Sequence, residues 1–143
     1  MDLAWGLIIL VLGSIAWLGQ MTAWLTPRTA IRLSLMEPEA DVEPTYWADI
    51  RGEAIWDTLT LWTLPLAGLL LVLGEPAWAV FGLVGGGAFL YFAGRGIVTR
   101  RIMQAEGLRV GAPQNVRMGY IFLLVWGVVA LVTIGAGATA LMP

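Results

Sequence analysis

Cysteine, histidine and lysine are all absent from this 143-residue chain. Without the first two there is no disulfide, no thiolate nucleophile, no imidazole acid or base, and no histidine-ligated zinc, copper or haem. Charge is scarce as well. Only 13% of the residues are Asp, Glu, Lys or Arg, against about 25% in an ordinary soluble domain. The familiar phosphate and nucleophile motifs are missing too: there is no Walker loop, no dinucleotide fingerprint after a strand and no nucleophile elbow. No cofactor, no bound metal and no nucleic-acid partner is expected.

What the chain has is apolar length. Hydrophobic residues make up 59% of it, and the mean hydropathy is +0.80. They fall into four runs, residues 3–25, 55–73, 77–98 and 118–141. Each run is long enough to cross a hydrocarbon core of about 30 Å at about 1.5 Å per helical residue. The expectation is an all-α integral membrane protein, a single domain of four transmembrane helices, with connectors at 26–54 and 99–117.

The charges then orient the spans. All eight basic residues are arginine: Arg28, Arg32, Arg51, Arg95, Arg100, Arg101, Arg109 and Arg117. Every one lies in or beside those two connectors, whereas the opposite side carries only Asp2, Glu75 and the termini. Under the positive-inside rule the connectors are cytoplasmic and both termini lie outside. Trp5 and Trp78 then fall at the outer boundary, with Trp24 and Trp56 at the inner one, as an aromatic belt requires. Arginine used without lysine, together with short connectors, suggests a bacterial inner membrane.

Span one begins with Asp2 and no basic region, and its apolar run exceeds that of a secretory signal, so it is expected to be retained. Its Gly6, Gly13, Trp17, Gln20 and Trp24 share an inward face. Thr26 and Pro27 can cap and start a short interfacial helix, TPRTAIRLSLM. In EPEADVEP the carboxylates Glu37, Glu39, Asp41 and Glu43 alternate between prolines. A calcium loop would need a turn glycine and a distal glutamate, so a solvated linker or a docking patch for a basic partner is the better reading. A helical pattern resumes at Thr45 and runs into span two, carrying Asp49, Glu53, Trp56, Thr60 and Thr63 on one stripe. Pro65 removes the amide that would bond to the Leu61 carbonyl, which predicts a kink.

Span three is the most glycine-rich. At about 100° per residue, Gly82, Gly85, Gly86, Ala93 and Gly96 gather on one side, and Gly87 and Gly94 lie about a third of a turn away. Two nearly bare sides invite two close neighbours. Span four presents Gly119, Trp126, Ala130, Thr133 and Gly137 on one face. Trp17, Trp62 and Trp126 sit deeper than the belt, as ordinary packing residues or the lining of an apolar ligand site. LWTLPLAGLL of span two can be laid against VWGVVALVTI of span four, although chance similarity between apolar segments explains this equally well.

The constellation richest in chemistry is Glu53 and Asp57, one turn apart at the mouth of span two, with Arg95 and Arg100 leaving span three at about the same level. Carboxylates so placed repel, and are either neutralised by the arginines or recruit a cation. No ionisable residue lies near the centre of a span, which disfavours a proton-coupled carrier. Three functions follow in order of preference. The first is a non-catalytic accessory component that binds a protein partner, or itself, through the acidic connector or a helix face. The second is an oligomeric transporter or channel for ions or small solutes, and the third is a lipid-acting enzyme at the bilayer surface.

Overall fold

A computed structural model describes residues 2–142. Its elements are α1 (Asp2–Leu25), α2 (Pro27–Arg32), a 3-10 turn (Glu39–Asp41), α3 (Pro44–Thr60), α4 (Thr63–Val72), α5 (Trp78–Ala105) and α6 (Pro113–Leu141). The protein is all-helical, and no strand occurs among the described residues. Four helical stretches, Leu3–Leu25, Pro44–Val72, Trp78–Ala105 and Pro113–Leu141, are long and apolar enough to cross a membrane. Large apolar side chains such as Leu7, Val11, Val84, Val128 and Leu131 point outward. That is expected of helices whose solvent is hydrocarbon, where the backbone must satisfy its own hydrogen bonds.

The second stretch is broken where Pro65 predicts. Lacking an amide, Pro65 leaves the Leu61 carbonyl to be taken by the Leu64 N–H at 3.3 Å, and α3 gives way to α4 across Leu61 and Trp62. The Trp62 indole donates to the Leu59 carbonyl and the Thr63 hydroxyl to the Thr60 carbonyl, so polar side chains support the break locally. From the other side, the Trp17 indole of α1 donates to the Thr58 carbonyl at 2.9 Å.

Around this break the helices close on one another through glycine. A Cβ on Gly68 would lie 2.5 Å from the Leu10 backbone nitrogen, and one on Gly85 2.5 Å from the Leu64 nitrogen. Gly6 faces Val72 and Gly13 faces Pro65, while Gly82, Gly86 and Gly137 bring α5 and α6 together. Such small-residue contacts let backbones approach where no hydrophobic effect drives helices together. The packed core runs through Ile9, Leu61, Leu64, Phe89, Phe92 and Ala130. Side by side the order is α1, α4, α5, α6; α1 and α6 barely touch. Where they meet, the Trp126 indole donates to the Leu12 carbonyl at 3.0 Å.

At the arginine-bearing end, α2 is shorter than the sequence suggests and stops at Arg32, with Ser34 at a positive φ of 56°. Thr26 occupies the N-cap position, but its hydroxyl turns back to the Thr22 carbonyl instead of capping. The two connectors are joined by a backbone pairing of Val42 with Val110.

Candidate functional site

Arg95 is the hub of the polar cluster. It projects from α5 toward α3, where one guanidinium nitrogen lies 2.7 Å from Glu53 Oε1 and the other 2.5 Å from Asp49 Oδ1. Asp49 and Glu53 are four residues apart, hence on the same face of α3, and the planar guanidinium spans both. The second carboxylate bound by Arg95 is therefore Asp49, one turn above Glu53, and not Asp57, one turn below.

Asp57 stands apart. It is 3% exposed, it forms no ion pair, and its Oδ2 is buried without a hydrogen-bond partner. It lies on the wall of a shallow cavity of about 360 Å³ shared with Asp49, Glu53, Trp56, Tyr91 and Arg95. Arg100, expected to join the acidic pair, turns elsewhere. It donates to the Gly96 carbonyl at 2.9 Å and lies over the Tyr46 ring, 5.8 Å from its centroid. Among the described residues no carboxylate comes within 4 Å of it.

Arg100 and Tyr46 belong to a second, larger cavity of about 500 Å³, enclosed by α1, α3, α5, α6 and the first connector. It is lined by α1 and by α6, on the connector side of the Trp126–Leu12 hydrogen bond. Its floor is apolar, built from Ala16, Phe92, Leu123 and Trp126, and its rim carries the polar groups Gln20, Glu37, Tyr46, Arg100 and Asn115 beside Leu33, Leu35, Met36 and Val110. Glu37 Oε2 is buried there with no partner. Ile15, Met118 and Phe122 line the cavity and are still about half exposed, so it opens on the lipid-facing side.

The acidic connector is thus less available than its sequence implies. Glu37 faces the cavity. Glu43 accepts from the Arg109 side chain at 3.1 Å, while Arg109 also donates to the Ala40 and Val42 carbonyls. Glu39 and Asp41 alone of the four are exposed. No cluster of three or more acidic residues able to hold a metal ion occurs among the described residues.

On α5, Gly82, Gly85, Gly86, Ala93 and Gly96 are buried. Gly87 and Gly94, expected to receive a second neighbour, meet nothing within 4 Å. Both partners of α5 instead share the first side: Gly85 takes α4, and Gly86, next along the chain and about 100° around, takes α6. The threonine stripe of span two is also spent locally. The Thr60 and Thr63 hydroxyls each donate to a carbonyl three or four residues back.

Sequence reasoning missed Gly68, Tyr46, Asn115 and the assembly of the larger cavity. Gly68 had a visible signal, since it lies one residue from Ala67 on a stretch flanked by a helix-breaking proline. The chain matches no protein-family model, no curated protein and no solved structure.

Proposed function

We propose that the protein is a non-catalytic integral membrane component that holds a lipid-like amphiphile in the cavity between α1, α3, α5 and α6. The observation that carries this reading is the cavity's own amphipathic build, an apolar floor beneath a polar rim with an opening toward lipid. Its size falls within the range of about 300–1,000 Å³ common to small-molecule sites. A hydrocarbon chain would lie against Phe92, Leu123 and Trp126, and a headgroup would meet Arg100 and the unpartnered Glu37. Arg100 has no carboxylate to satisfy it and Glu37 no donor, so both are ready to bind.

The arginine-bearing end faces the cytoplasm of a bacterial inner membrane, with both termini outside, on the strength of the eight-to-none arginine split. The lack of native cysteine makes this directly testable. In intact cells a membrane-impermeant maleimide should label Glu75→Cys and spare Glu39→Cys; the reverse pattern would invert the topology. A protein partner docking on the acidic connector is the weaker reading, because Glu37 faces the cavity and Glu43 is already paired with Arg109.

Gly19 and Gly119 provide the functional test. Both line the cavity, and neither has an atom within 4 Å of where its Cβ would sit. Gly19→Phe and Gly119→Phe should therefore fill the cavity without disturbing helix packing. Native mass spectrometry of the protein extracted in mild detergent should find a bound amphiphile in the wild type and lose it in both variants. Retention of the same ligand by both variants, or a wild type that carries none, would overturn the proposal.

A further inference from the structure

The smaller cavity between α3 and α5 shares only Glu53 with the amphiphile site and has a chemistry of its own. Three carboxylates, Asp49, Glu53 and Asp57, face one guanidinium, that of Arg95. Arg95 uses one oxygen of Asp49 and one of Glu53, while Asp49 Oδ2 and Asp57 Oδ2 are buried with no donor. Asp57 is 3% exposed and lines the cavity, so its carboxyl group is held at the wall with no ion-pair partner among the described residues. An unpaired ionisable side chain in a membrane helix is costly, and where one persists it marks a functional site. Two aromatic residues flank the opening: Trp56, 60% exposed, and Tyr91, 61% exposed.

We infer that this cavity binds a primary alkylammonium group. The unpartnered Asp57 oxygen requires an N–H donor, which an ammonium supplies and a quaternary cation does not. The aromatic pair suits the cation's charge and its alkyl carbon, since ring faces attract cations within about 6 Å of the centroid. A bare metal ion is a poorer fit. Its ligands would have to converge on one point, and no such convergence of acidic groups occurs among the described residues. Arg95 positions Asp49 and Glu53 and leaves Asp57 without a direct partner.

The test uses the full-length protein in nanodiscs of phosphatidylglycerol alone, at constant ionic strength, with ethylammonium, tetramethylammonium or sodium chloride added. Ethylammonium should raise the unfolding temperature saturably and change tryptophan emission, with an apparent affinity at least fivefold tighter than that of tetramethylammonium. Asp57→Asn should abolish the response. Trp56→Leu, at an exposed position where folding is not at stake, should weaken it several-fold. In discs containing phosphatidylethanolamine, loss of the ethylammonium response assigns the site to that lipid's headgroup, and an undiminished response assigns it to a soluble amine. No response in the ethanolamine-free discs, a response unchanged in Asp57→Asn or Trp56→Leu, or equal binding of tetramethylammonium would overturn the assignment. Filling the larger cavity through Gly119→Phe should leave this response intact, so the two sites fail or stand separately.

Discussion

The two ends of this helical bundle are built by opposite means. Toward the Gly74 turn the helices meet through bare backbone, at Gly6 and Gly68, Gly82 and Thr133, Gly85 and Leu64, Gly137 and Ala79. Toward the connectors they meet through long side chains, Arg95 to Asp49 and Glu53, Arg109 to Glu43, Arg100 over Tyr46. Both cavities described above lie at that second end. The difference shows how residue size partitions a small membrane protein: glycine closes one half tightly, and the larger residues of the other half leave room for a guest.

If the partition is real, substitutions should rank accordingly. The largest effect is expected at Gly68→Ala and Gly85→Ala, where the added methyl meets backbone that cannot yield. Overpacking of this kind costs about 3 kcal/mol or more, read as a collapse of thermal stability or of extractable folded protein in mild detergent. A smaller effect is expected at Arg95→Gln, which leaves Asp49 and Glu53 without their counter-charge. The side chains are partly exposed, so the loss should lie between the surface and buried limits, about 1–2 kcal/mol. The smallest is expected at Gly87→Ala and Gly94→Ala, which touch nothing. Alanine is the better helix former, so stability should stay within about 0.5 kcal/mol or rise slightly. Equal loss at Gly85→Ala and Gly87→Ala would erase the distinction between packed and bare faces.

Much of this was legible in the sequence, and the limits have physical causes. The four long helices follow from apolar length alone, because hydrocarbon tolerates no unpaired backbone. The break before Pro65 follows from one missing amide. The Arg95–Glu53 pair follows from charge and level, but its extension to Asp49, and the isolation of Asp57, depend on how steeply α5 crosses α3. Periodicity cannot supply that angle. A helical wheel places Gly87 and Gly94 on a bare side without saying whether a neighbour exists to use it. The larger cavity is lined by α1 and α6, helices more than a hundred residues apart at the Trp126–Leu12 contact. No local pattern encodes such a gap.

The Val42–Val110 pairing, reinforced by Arg109 and Glu43, has a mechanical meaning. It fastens the connector of the first two spans to that of the last two. Carriers that alternate access swing one half of the molecule against the other about a central substrate. Here such a swing would have to tear the fastening and part the glycine contacts between α4 and α5 at the same time. A guest of the proposed cavity would therefore arrive and leave sideways, past Ile15, Met118 and Phe122, while the halves stay joined.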